Sequence, residues 1–98
     1  ESSQYRDQAG MVDDQIAFFS RHWLDAGYRV MVTADHGMSA EGNHGGTTDD
    51  VRYVAFYELG HPDPGEAAEV ADQRAVAPTV LSRLGLAPAP AMKTPPLA

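Results

Sequence analysis

The stretch Tyr28-Arg29-Val30-Met31-Val32-Thr33-Ala34-Asp35-His36-Gly37-Met38-Ser39-Ala40-Glu41-Gly42-Asn43-His44-Gly45-Gly46 decides how this chain reads. Its first part is a short apolar run opened by Gly27 and closed by a polar, glycine-rich loop. Val, Tyr and Met in so short a run predict a buried strand over 28–33 rather than a helix. Open α/β sheets keep their ligands at the carboxyl ends of strands, and here that position carries Asp35 and His36. A second histidine, His44, returns eight residues later across a loop with flexible glycines.

Working outward, Val12, Ile16, Phe19 and Trp23 fall at helical spacing with Leu24 beside them. They predict an amphipathic helix over 8–26, preceded by a polar lead-in and stopped by Gly27. Helix and strand then form the αβ half of a crossover unit. The loop over 34–50 is long for a connection in a small domain, and such loops are often functional. Beyond it, Val51-Arg52-Tyr53-Val54-Ala55-Phe56-Tyr57-Glu58 predicts a second strand, rich in β-branched and aromatic residues. Residues 59–65 are turn chemistry. A short extended edge is expected over 66–70, and a helix over 72–84 with its regular part beginning near Ala75, because Pro78 is comfortable only in a first turn. Residues 87–98 form a Pro-rich tail, leaving 1–86 as one segment. The order of elements predicts an α/β layer arrangement, with too few strands for a sheet of its own.

Composition excludes several classes of function. A net charge of −7 with a pI of about 4.8 argues against a non-specific grip on nucleic acid or an anionic membrane surface. The absence of cysteine excludes disulfides, thiolate metal sites and a cysteine nucleophile. No apolar run reaches membrane-spanning length. The opening Glu1-Ser2-Ser3-Gln4 has no initiator methionine, and the chain reads as a piece of a longer protein.

Asp35 offers a hard anionic oxygen, and His36 and His44 offer imidazole nitrogens. That donor mixture suits Zn²⁺, with Mn²⁺ and Fe as weaker options. Adjacent residues on a strand point to opposite faces. Asp35 and His36 can therefore share one ion only if the strand has ended before them; otherwise they brace two sides of a binuclear centre. The plain alternative is a loop in which Asp35 is a capping residue and Gly45-Gly46 a turn. His22 and His61 read as packing or surface residues, and Thr47 and Thr48 as loop hydrogen-bonders.

Thr33-Ala34-Asp35-His36-Gly37-Met38 followed by Gly42-Asn43-His44-Gly45-Gly46 resembles the C-terminal metal-binding segment of the alkaline phosphatase superfamily. The type I phosphodiesterase/nucleotide pyrophosphatases and the phosphoethanolamine transferases are the most similar branches. Val76-Ala77-Pro78-Thr79-Val80-Leu81 with Leu84-Gly85-Leu86 resembles that family's closing helix, so the likeness extends over about residues 5–95. The resemblance implies a partial alkaline-phosphatase-like sandwich and two divalent metal ions in the parent, zinc first and manganese second. Asp35 and His36 would bind the metal that contacts the nucleophile, and His44 would ligate the second metal.

The family also needs a Thr or Ser nucleophile, and further Asp and His ligands, from upstream segments that nothing here supplies. The implied parent is a metal-dependent phosphodiesterase or nucleotide pyrophosphatase acting on a small-molecule phosphate ester, with no catalytic residue in this chain. Alternatives are a sulfatase or phosphomutase of the same superfamily, or a non-catalytic α/β module with a degenerate metal loop. The missing N-terminal part is an expected partner, and self-association through uncovered apolar surface is a further expectation. Most members of that family work outside the cytoplasm.

Overall fold

The computed structural model describes residues 2–61 and 70–98. The chain divides into two compact units, Glu1–Pro64 and Gly65–Ala98.

In the first unit, helix α1 runs from Ser3 to Asp25. It begins five residues before the expected start, because Ser2 is an N-cap whose side chain accepts a hydrogen bond from Tyr5 N at 3.1 Å. A serine hydroxyl satisfying one of the open first-turn amides is sufficient to start the helix there. The polar lead-in is therefore helical. At the other end Gly27 N–H donates to Leu24 O and Tyr28 N–H donates to Trp23 O, at 3.0 and 2.9 Å. These are the two bonds of a Schellman motif, and Gly27 supplies its positive φ of 93°.

The face α1 turns inward takes in only part of the stripe that periodicity marks. Ile16 and Leu24 are half-buried and Ser20 is buried between them, a line at i, i+4 and i+8. Phe19 and Trp23 stack with ring centroids 5.8 Å apart, yet both remain about half exposed, as does Val12. His22 packs edge-on against Phe18, as expected of a helix-packing histidine.

Strand β1 spans Val30–Thr33 and β2 spans Phe56–Leu59. They pair antiparallel, Val30 opposite Leu59 and Thr33 opposite Phe56, as a two-stranded sheet against which α1 packs. The arrangement is a small mixed α and β unit. The expected second strand over 51–58 is corrected. Asp49–Arg52 form one helical turn, α2, and only Phe56–Leu59 is strand. Thr48 in extended conformation, followed by Asp49 and Asp50 in the first turn, is a helix start that outweighs the β-branched and aromatic content of 51–53. Val51 is the buried residue of that turn, at 4% exposure.

In the second unit Gln73–Ala75 form a 3₁₀ turn and Val76–Arg83 the helix α3. Pro78 sits in its first turn, where a missing N–H costs nothing. The helix closes on a second Schellman pair, Gly85 N–H to Ser82 O and Leu86 N–H to Leu81 O. The covered residues are Ala75 of the 3₁₀ turn and Pro78 and Thr79 of α3, whereas Val80 and Leu84 of the expected apolar face are exposed. The Pro-rich tail returns to α3. Thr79 Oγ1 accepts from Leu97 N at 2.8 Å, and the Arg83 guanidinium donates to the carbonyls of Leu97 and Ala98. The extended edge expected over 66–70 lies outside the described residues except for Val70, which has no regular structure.

Candidate functional site

Thr33 closes β1, and its hydroxyl donates to Ala55 O at 2.8 Å, fixing the strand end against the segment that leads into β2. Asp35 and His36 therefore stand beyond the strand, and the alternation of a pleated backbone no longer separates them. Asp35 Oδ1 accepts from the backbone N–H of His36 at 2.9 Å and lies 3.5 Å from His36 Nε2. The other ring nitrogen, Nδ1, is 2.9 Å from Gly37 O. Asp35 is 87% exposed and His36 40%, so the pair is open to solvent.

The polypeptide then turns on itself. Ser39 N–H donates to Asn43 O at 2.7 Å, Gly42 N–H to Ser39 O at 2.9 Å, and Asn43 N–H to Ser39 Oγ at 3.1 Å. This compact turn delivers the next residue, His44, onto His36. The two imidazoles stack with centroids 4.8 Å apart and planes 19° from parallel. His36 thus touches both other residues singled out in the sequence, Asp35 on one side and His44 on the other.

Their donor geometry divides them. Zinc bonds of about 2.0–2.2 Å place neighbouring tetrahedral ligand atoms roughly 3.4 Å apart. The 3.5 Å between Asp35 Oδ1 and His36 Nε2 matches that edge. Histidine ligands commonly offer one nitrogen to the metal and give the other N–H to a carbonyl, which is the arrangement Gly37 O makes with Nδ1. Rings stacked within 19° of parallel keep their in-plane lone pairs in two separate, nearly parallel planes, so His36 and His44 do not converge on one ion. In keeping with this, the described residues contain no group of three or more His, Asp or Glu side chains placed to hold a single metal. The residues present fit one ion as a two-ligand edge, with His44 beside it.

Two further residues support the site, Gly37 from within the motif and Thr48, the expected loop hydrogen-bonder. Gly37 N–H donates to Val51 O at 2.7 Å, tying the site to α2. A Cβ on Gly37 would overlap the Asp50 carbonyl oxygen, so the close approach requires glycine. Thr48 does not cap α2 with its side chain; its hydroxyl donates to Asp50 Oδ1 at 2.6 Å. The signal that locates this support is Thr48-Asp49-Asp50 read as a helix start. Nearby, Arg52 lays its guanidinium over the Tyr53 ring, 5.4 Å from its centroid.

Two shallow surface grooves, of about 450 and 370 Å³, are lined by residues of α1 and β1 and the segment between them. Neither includes Asp35, His36 or His44. Among the described residues no helix is long and apolar enough to cross a membrane. No family model matches this chain, and neither a curated protein nor a solved structure matches it.

Proposed function

We propose that this chain is the C-terminal metal-binding segment of a metal-dependent phosphodiesterase or nucleotide pyrophosphatase-type hydrolase, part of an alkaline-phosphatase-like sandwich. The observation that carries the reading is the 3.5 Å edge between Asp35 Oδ1 and His36 Nε2, with Nδ1 turned to Gly37 O. Asp35 and His36 would hold one divalent ion, zinc before manganese, and His44 would serve a neighbouring one. A pair of such ions neutralises phosphoryl charge and steadies the attacking and leaving oxygens. The chain's own residues bind and orient. Asp35 supplies the anionic oxygen, Gly37 O fixes the His36 ring, and the Ser39–Asn43 turn places His44.

The thin interior supports a segment that needs more protein around it. Its buried hydrophobic residues are Val30, Val51 and Ala75 among those described. Burying a valine contributes about 1.5–3 kcal/mol, against about 1–2 kcal/mol of backbone entropy for every residue ordered. The exposed Val12, Phe19 and Trp23 on α1 are the surface that the remaining domain, or a second copy, would cover.

The test is hydrolysis of a model phosphodiester by the longer gene product. It is expected to need zinc and to be lost in Asp35→Ala, with no turnover by the 98-residue chain alone. A longer product that lacks both an upstream hydroxyl-bearing strand and the second Asp and His set would overturn it. The competing reading, a non-catalytic α/β module, draws on the lack of a three-ligand cluster among the described residues. It predicts no metal-dependent turnover from any longer chain.

A further inference from the structure

We infer that Gly37 is the positioning residue of the site, a backbone relay that fixes the tautomer and direction of the His36 ring from helix α2. The inference about the ring rests on backbone geometry. Its consequence for metal affinity rests on the function proposed above.

Gly37 uses both of its main-chain polar groups. Its N–H donates to Val51 O at 2.7 Å, and its carbonyl oxygen faces His36 Nδ1 at 2.9 Å. A carbonyl oxygen is only an acceptor, so the nitrogen facing it must carry the proton; two lone pairs at that distance would repel. Neutral His36 is therefore the Nδ1–H tautomer, and its bare lone pair is on Nε2, the nitrogen beside Asp35 Oδ1. The opposite tautomer would leave Nδ1 against the carbonyl and offer Nε2–H to a carboxylate 3.5 Å away, a poor exchange.

What holds the Gly37 carbonyl in place is α2. Val51 is 4% exposed, and its burial anchors the carbonyl to which the Gly37 amide is tied. Contact between the Gly37 and Asp50 backbones leaves no room for a side chain, since an added Cβ would overlap Asp50 O and also approach Asp50 C at 3.1 Å. Any larger residue at 37 must therefore push the His36 loop off α2. Gly45, in the same loop, has open space where its Cβ would be and no positive φ, which makes Gly45→Ala the matched control.

The test reads the His36 tautomer in metal-free protein by ¹⁵N–¹H correlation from the ring carbons, then titrates zinc into wild type, Gly37→Ala and Gly45→Ala. The expected wild-type state is Nδ1–H, with the Gly37 amide protected from hydrogen exchange. Gly37→Ala is expected to mix the tautomers and to weaken zinc binding about 10–100-fold, the usual cost of losing an outer partner of a ligand. Gly45→Ala is expected to change neither. An Nε2–H tautomer in wild type overturns the inference whether or not the variant folds. So does a Gly37→Ala protein that keeps both the tautomer and the affinity. If the tautomer behaves as expected while zinc binds nothing, the relay stands and the proposed metal role of this chain falls.

Discussion

The two halves of the site loop are built by different means. His36 is held from outside the loop, through Gly37, by a hydrogen bond to Val51 fourteen residues on and by a buried side chain beneath it. His44 is held from within the loop, by a turn in which Ser39 and Asn43 bond each other and which no buried side chain anchors. Local hydrogen bonds exposed to water contribute little and open readily. The difference implies a site with one fixed edge, Asp35 and His36, and one adjustable arm, His44. On the proposed function that division is useful, because only the fixed edge has to be in place before further ligands arrive.

Substitutions that loosen one half and spare the other test this division. The largest effect is expected from Val51→Ala, which removes buried volume under the fixed edge. It should cost about 2 kcal/mol, between the usual penalties for trimming one methyl and for cutting a leucine to alanine. Denaturant midpoints measure the loss, and the Gly37 amide should lose its exchange protection while the Ser39–Asn43 turn keeps its chemical shifts. A smaller effect is expected from Ser39→Ala, which removes the acceptor for Asn43 N–H and should cost about 0.5–1.5 kcal/mol locally. His44 resonances should broaden or shift, and those of His36 should follow only through the loss of stacking. Equal disturbance of both histidines by either substitution would show that the halves are not independent.

The smallest effect lies in the other unit and serves as a background. Asp72 accepts from the Arg74 guanidinium at 2.7–3.2 Å and from its backbone N–H at 2.9 Å, which lowers its carboxyl from 3.8 to about 2. A lowered folded-state value stabilises above the ordinary carboxylate range and loses that contribution as pH falls through the folded value. The 3₁₀ turn at Gln73–Ala75 should therefore weaken between about pH 4 and pH 2, and Asp72→Asn should abolish that acid step. With an exposed pair the step is small. A midpoint for this step above pH 4, read from the Arg74 amide, would contradict the pairing.

Much of this was legible in the residues. Glycine after an apolar run placed the end of α1 and of α3, because a left-handed closing residue is nearly glycine's alone. The short strand before Asp35 followed from Val30 and Val32 between turn formers. What misled was content read without its caps. Val51 and Tyr53 look like strand, yet Thr48-Asp49-Asp50 starts a helical turn ahead of them. Ser2 likewise starts α1 before any apolar residue of the stripe. Val12, Phe19 and Trp23 of the stripe lie on a face that the described residues leave exposed, while small or polar Ser20 and Thr79 are buried. Periodicity reports what a helix face is suited to meet, and burial reports what it meets here. At the site, the three candidate residues were readable as donor types, but their support was not. Gly42 and Gly46 answer a positive φ, whereas Gly37 is set apart from Gly45 by what stands next to it in space.

The most direct test of the central claim is a zinc titration of the 98-residue chain followed on the ring resonances of His36 and His44, with His36→Ala and His44→Ala alongside. The fixed-edge account predicts one saturable site that is lost in His36→Ala and only weakened in His44→Ala. Zinc binding that survives His36→Ala, or that needs His44 as much as His36, would contradict it.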